Sequence, residues 1–162
     1  MIDDQRTMMN RRPPTIKLTK EYWGVLETQR KTLEQQQEEI LVRLQAAREM
    51  GDLSENGAYK YAKFELGNVR RQLRRVNYLL QWGKIAAKKK TGAVDFGSKV
   101  RLKNEAGELE FMLVSEHEAD PRVGKLSLQS PLGSAVVGKR KGDKVTVMAP
   151  AGKMGYEIVE ID

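Results

Sequence analysis

The sequence predicts an α+β protein in two parts, an antiparallel α-helical coiled-coil hairpin followed by a small β-rich domain. Three observations carry this. Two long stretches repeat apolar residues at helical spacing, seven residues separate them, and past residue 99 the pattern turns to alternation. The division that follows is an N-terminal extension at 1–18, a hairpin at 19–85 with its tip at 51–57, a linker at 86–95 and a C-terminal domain at 96–162.

The first helix runs from Thr19 towards Met50, with no proline and one glycine, Gly24. Leu26, Leu33, Ile40 and Ala47 recur at seven, flanked by Trp23 and Leu44 on a neighbouring row that Arg30 and Gln37 interrupt. Thr19 is placed to cap the helix. In the second helix Tyr59, Ala62, Leu66, Val69, Leu73, Val76 and Leu80 alternate spacings of three and four, the mark of a coiled-coil seam. The connection Gly51-Asp52-Leu53-Ser54-Glu55-Asn56-Gly57 is short enough to force the helices antiparallel. At 1.5 Å per residue the hairpin reaches roughly 45 Å, and the rest of the chain is too small to cover most of it. A projecting finger is expected.

Gly83 and Lys88-Lys89-Lys90-Thr91-Gly92 then break the helical period. Strands are expected at Val100–Leu102, Leu109–Val114, Leu126–Leu128, Val145–Val147 and Tyr156–Ile161. Ser130-Pro131 opens a short helix through Val137, because proline suits a first helical turn. Asn104–Gly107, Gly142-Asp143 and Pro150-Ala151-Gly152 read as turns.

Composition excludes several classes of function. The 162 residues contain no cysteine and one histidine, which removes disulfides, thiolate metal sites, Cys nucleophiles and multi-His centres. No apolar run suffices to span a membrane, and MIDDQRTMMNRRPP lacks the apolar core of a secretory signal. A cytoplasmic protein without a membrane partner is the expectation. Of the net charge of +7, residues 57–85 hold +6, directly after the acidic island at 51–56. Localised basic charge points to a polyanionic partner.

Two constellations bear on chemistry. Asp52 and Glu55 stand three apart in the tip loop. Turn chemistry accounts for them, since Asp, Ser54 and Asn56 favour caps and tight turns. They also suit half of a Mg²⁺ site, for Mg²⁺ takes one or two protein carboxylates and fills its octahedron with water and phosphate. Lys60, Lys63, Arg70, Arg71, Arg74 and Arg75 lie off the seam of the second helix, where only Glu65 offers an opposite charge. A solvated face is the ordinary reading of such a run; the shortage of acids favours phosphate contact instead, without a base-reading motif. His117, among Glu116, Glu118 and Asp120, reads as a solvated loop residue. Gly138-Lys139-Arg140-Lys141-Gly142 lacks the spacing of a P-loop, and Trp23 and Trp82 suit core packing at the hairpin base.

The tip, Ala-Arg-Glu-Met-Gly-Asp-Leu-Ser-Glu-Asn (47–56) followed by Tyr59, resembles that of the Gre family of bacterial transcript cleavage factors, GreA and GreB. Val94-Asp95-Phe96-Gly97-Ser98-Lys99-Val100 is similar to the start of that family's C-terminal domain. Ser130-Pro131-Leu132, Gly138-Lys139, Gly142-Asp143, Val145, Pro150, Gly152 and Glu157-Ile158 resemble its closing signature. Coverage runs from about Thr19 to Ile161. The resemblance implies an FKBP-like C-terminal domain and a monomer that docks on RNA polymerase at its secondary channel, with Asp120, Ser130 and Pro131 as docking residues. It further implies that Asp52 and Glu55 hold a second Mg²⁺ jointly with polymerase, and that Leu53, Ser54, Asn56 and Tyr59 contact the active site. The polymerase's own site then hydrolyses backtracked RNA, while the basic flank faces the RNA 3′ segment. The protein is then not an enzyme by itself.

The chain departs from the family pattern in three places. Gly57-Ala58 stands where the family often has Ala followed by an acid, so one carboxylate is missing. Gln36-Gln37 replaces a frequent Arg-Pro, and a straighter first helix is expected. Residues 1–14 precede the usual start. The basic flank is more like GreB than GreA. Two rival readings are a channel-occupying inhibitor without a productive metal site, and a coiled-coil adaptor binding RNA nonspecifically.

Overall fold

The computed structural model describes residues 15–51, 56–87, 91–149 and 152–162. The chain divides into two compact units, one containing Trp23–Gly83, the other Ile16–Tyr22 with Lys84–Asp162.

The first unit is built on α1 (Lys20–Glu49) and α2 (Gly57–Trp82). In α1 the row expected from the sequence is buried: Leu26, Leu33, Ile40 and Ala47, joined by Leu44. Arg30, Gln37 and Trp23 are half-buried, and the Arg30 Nε atom is buried without a hydrogen-bond partner. In α2 the buried residues are Ala62, Leu66, Val69, Leu73, Val76 and Leu79. The expected seam begins on Tyr59 and ends on Leu80, and both are half-buried instead. Leu79 and Leu80 lie 100° apart on the helix, and spacing alone cannot tell which one the last turn buries. Contacts pair late residues of α1 with early ones of α2: Arg43 Nη1 lies 3.0 Å from Glu65 Oε2, and Asn56 Nδ2 donates to the Ala47 carbonyl at 2.7 Å. The helices are antiparallel.

The second unit centres on β3 (Lys99–Asn104), β4 (Gly107–Val114), β5 (Lys125–Ser127), β6 (Lys144–Ala149) and β7 (Gly152–Ile161). They form one sheet in the order β5-β4-β3-β7-β6. Only the β4–β5 pairing is parallel. On β3, Val100 and Leu102 point inward as alternation requires, and they join Phe111, Leu113, Val145 and Ile158 in the core. The helix α3 (Pro131–Val136) contributes Val136 to that core. On the exposed face Arg101 bridges Glu110 at 3.1 Å and Glu160 at 2.8 Å. The hydrogen bond to Glu110, then the Glu160 charge, hold its guanidinium above the ordinary arginine pKa.

Three features revise the boundaries read from the sequence. Ile16–Leu18, grouped with the N-terminal extension, is a strand β1 that pairs with β2 (Gly83–Ile85). Val94, assigned to the linker, is a core residue, with its N–H donating to the Lys139 carbonyl at 2.8 Å. The strand expected at Tyr156 begins at Gly152, so that β6 and β7 stay paired up to Ala149 and Gly152. Residues 88–90 and 150–151 lie outside the described residues.

Thr19 caps α1, its Oγ1 accepting from the Tyr22 N–H at 3.2 Å. The same hydroxyl donates to Glu118 Oε1 at 2.6 Å, and the Thr19 N–H donates to Glu118 Oε2 at 3.2 Å. Lys125 Nζ lies 2.9 Å from Glu118 Oε1. In a capping box the acid three residues into the helix binds the N-cap N–H. Here Tyr22 occupies that place, and a carboxylate 99 residues away takes over the bond. Its side chain is fully buried, so its oxygens rely on these three donors in place of water.

Glu118→Ala is therefore expected to destabilise the protein by about 3 kcal/mol, leaving Thr19 and Lys125 without their acceptor. Glu118→Gln should cost less, since an amide oxygen still accepts. Denaturant unfolding measures both, and an alanine effect below about 0.5 kcal/mol, the range of a neutral surface change, would contradict this account.

Two glycines should respond to alanine with opposite signs. A Cβ at Gly133 would lie 2.0 Å from the Ser127 carbonyl oxygen, a backbone atom that cannot give way locally. Gly133→Ala is expected to cost about 1–3 kcal/mol. At Gly67, inside α2, nothing lies within 4 Å of that position, so Gly67→Ala is expected to stabilise by up to about 1 kcal/mol. Thermal melts that shift the same way for both would refute the assignment.

Candidate functional site

The hairpin turn is framed by residues whose local chemistry is visible. α1 ends at Glu49, and Gly51 follows at φ +102, a conformation that side-chain-bearing residues rarely adopt. On the far side Asn56 caps α2, its Oδ1 accepting from the Tyr59 N–H at 3.1 Å. Its Nδ2 simultaneously satisfies the Ala47 carbonyl in the last turn of α1. One amide thus serves an orphan donor of α2 and an orphan acceptor of α1. The Arg48 guanidinium lies 5.8 Å from the Tyr59 ring centroid, within cation–π range. Asp52, Leu53, Ser54 and Glu55 lie outside the described residues; the frame on either side of them is what is described.

The basic set stands on one side of α2. At 100° per residue Lys60, Lys63, Arg70, Arg71, Arg74 and Arg75 fall within an arc of roughly 140°, turned away from the buried stripe. All six are exposed. Arg71 donates to Asn68 Oδ1. Among the described residues none of the six has an ion-pair partner. Glu65, the one acid of α2, is taken by Arg43 of α1. Sequence reading identified Glu65 as the only local counter-charge but missed that another helix claims it.

In the second unit Asp120 is exposed, and its Oδ1 accepts from the Arg122 N–H at 3.0 Å, capping the short 3-10 helix Pro121–Val123. Ser130 is half-buried and caps α3, with Oγ accepting from the Gly133 N–H at 3.0 Å, and exposed Pro131 takes the first helical position. His117 is half-buried rather than freely solvated, its Nε2 3.5 Å from Glu116 Oε1. Its carbonyl accepts from the Tyr22 hydroxyl at 2.7 Å. The Tyr22 bond is structural, as is the role of Glu118, which in the sequence shows only proximity to His117. Among the described residues no group of three or more His, Cys, Asp or Glu side chains could hold a metal ion.

Family models match both halves of the chain: "Transcription elongation factor, N-terminal" over residues 16–85, and "Transcription elongation factor, GreA/GreB, C-term" over residues 88–162. The chain belongs to the GreA/GreB family of transcription elongation factors. It is 38% identical over 149 residues to transcription elongation factor GreA of Thermosipho melanesiensis, covering 90% of this chain and 96% of that one. It is 39% identical over 127 residues to GreA of Roseiflexus sp., covering 76% and 81%. Among solved structures, GreA factor homolog 1 of Thermus thermophilus aligns with a TM-score of 0.44 at 26% identity, covering 91% of this chain and 98% of that one. The two GreA/GreB matches meet in the short stretch between β2 and Ala93, and the hairpin lies wholly within the N-terminal one. Among the described residues no helix is long and apolar enough to cross a membrane.

Replacing Asn56 by alanine removes the cap of α2 and the bond to Ala47 together. A loss of about 1–2 kcal/mol is expected, at the upper end of the N-cap range. Asn56→Asp keeps the acceptor but not the amide donor, and should fall between the two in thermal denaturation; an Asp variant no better than Ala would show that the cap itself contributes nothing.

Proposed function

We propose that this chain acts on RNA polymerase, entering its secondary channel so that the hairpin tip meets the active site and stimulates endonucleolytic cleavage of backtracked RNA. The observation that carries this reading is the tip frame. Asp52 and Glu55 occupy the segment whose two ends Asn56 ties together, in a chain that matches the GreA/GreB family along both halves. In this reading the chain is not an enzyme alone, and works as a cytoplasmic monomer.

The donor set fits a hard cation. Two carboxylates supply oxygen ligands of the kind Mg²⁺ takes, and they leave most of an octahedron to water and phosphate. Asp52 and Glu55 hold such an ion only jointly with polymerase, because two ligands on one loop are too few for a closed site. When bound, the ion supplies Lewis-acid polarisation of the phosphodiester and a more acidic water. The chain's own contribution is positioning. Gly51 allows the turn out of α1, Asn56 fixes the start of α2, and on this reading Leu53, Ser54 and Tyr59 contact the polymerase active site. The six cations of α2 neutralise phosphates of the extruded RNA 3′ segment without reading sequence. On the second unit Asp120, Ser130 and Pro131 form the docking surface. Gly57-Ala58 leaves the tip one carboxylate short of the pattern it resembles, and on this reading Asp52 and Glu55 suffice.

The test uses defined backtracked elongation complexes with end-labelled RNA. The wild-type chain should release short 3′ fragments, and Asp52→Asn or Glu55→Gln should slow this by more than about tenfold, the effect that even indirect supports of a metal ligand produce. Slowed elongation without fragments from the wild type would favour the channel-occupying inhibitor. Fragments at an equal rate from the variants would remove the metal role.

A further inference from the structure

The outward face of α2 carries more than cations. Phe64 and Tyr78 are 64% and 44% exposed there, large aromatic surface left in water. Phe64, Arg71 and Tyr78 follow one another at intervals of seven, so they fall on one line along the helix, inside the arc that holds the basic residues. Phe64 and Tyr78 stand about 21 Å apart along the axis, with Arg70, Arg71, Arg74 and Arg75 between them. The helix position opening that interval is Gly67, a poor helix former that no packing contact requires, since nothing lies within 4 Å of its missing Cβ. At that one position the outward face therefore carries no side chain.

We propose that Phe64 and Tyr78 are stacking platforms for unpaired bases of a single strand of RNA laid along α2, with its phosphates on the intervening arginines. The proposal deepens the reading of the basic flank given above and rests on it. The chemistry favours this occupant over the surface of a protein partner. A protein interface gathers its aromatic anchors into a central desolvated patch, whereas these two rings are separated and each is hedged by cations. Aromatic faces alternating with phosphate-binding charge are what a single strand uses, because every base has a π-face and every nucleotide a charge. A duplex hides its base faces and cannot use the rings. At about 3.4 Å per nucleotide, a stacked strand would cross the interval in roughly six nucleotides.

Tyr61 provides an internal control. It is 61% exposed, and so equally available, yet it lies roughly 120° away from the centre of the basic arc. The experiment measures fluorescence anisotropy of the full chain with a short labelled oligoadenylate, and with an abasic strand of the same length, over a series of salt concentrations. The Phe64→Ala, Tyr78→Ala double variant should bind oligoadenylate at least about tenfold more weakly, with the slope against salt unchanged. Its affinity for the abasic strand should stay at the wild-type value. Phe64→Trp should keep binding, and Tyr61→Ala should not change it. Arg70→Ala with Arg74→Ala should instead reduce the salt slope by about 1.4, on either strand.

Wild-type affinity of the double alanine variant for oligoadenylate overturns the proposal, as does an equal loss on the abasic strand or the same loss from Tyr61→Ala. Reduced affinity for polymerase with unchanged RNA binding also overturns it, and assigns the face to a protein. If the arginine variant alone loses RNA, stacking fails while the basic flank stands. If the aromatic variant loses RNA binding but Asp52→Asn still supports cleavage, the tip reading fails and stacking stands.

Discussion

Two helices packed on each other can each bury one stripe of side chains, and that limit shapes the whole hairpin. Leu26, Leu33, Ile40, Leu44 and Ala47 are the buried residues of α1, and Ala62, Leu66, Val69, Leu73, Val76 and Leu79 those of α2. Each fully buried leucine contributes roughly 1.5–3 kcal/mol, and the two positions given to Arg30 and Gln37 forgo that. More than half of the circumference of α2 is thereby left free of any packing duty. The same limit explains why the ends need separate attention. A two-stripe seam cannot satisfy backbone groups beyond the last turn, so the Asn56 amide serves both helices at the tip, and Thr19 with Glu118 serves the start of α1.

Much of this was legible because it is local. The stripes of α1 and of α2 from Ala62 to Val76 follow from spacing, the Thr19 cap from residue type beside a helix start, the opening of α3 from Ser130-Pro131, and the core positions of β3 from alternation. What the sequence concealed is non-local. β1 and β2 are three residues each, too short to show a period, and they pair across the entire hairpin. Val94 falls in the linker by periodicity, because a lone valine after a lysine run continues no helical or alternating period, although the family-like motif opens on it. Glu118 sat beside a more conspicuous histidine, and no local rule links it to a threonine 99 positions earlier. At the tip the motif itself was readable, whereas the dual role of Asn56 depended on α1 ending within reach.

The contrast between the two helices bears most directly on function. α1 mixes its charges, with six acids and five bases between Lys20 and Glu49, and uses them locally: Arg30 lies 3.8 Å from Glu34, and Gln45 donates to Glu49 at 3.0 Å. α2 has one acid, and it is spent on Arg43. Its cations are set at spacings that repel, with Arg70 above Arg74 and Arg71 above Arg75, each like-charged pair costing about 0.2–0.5 kcal/mol. A glutamate at either place would relieve the strain without touching the seam. Helix stability alone therefore does not account for the composition of α2. The RNA proposed for this face would do so, since it would turn each of those repulsions into a shared attraction and release the counterions that the bare face must otherwise hold.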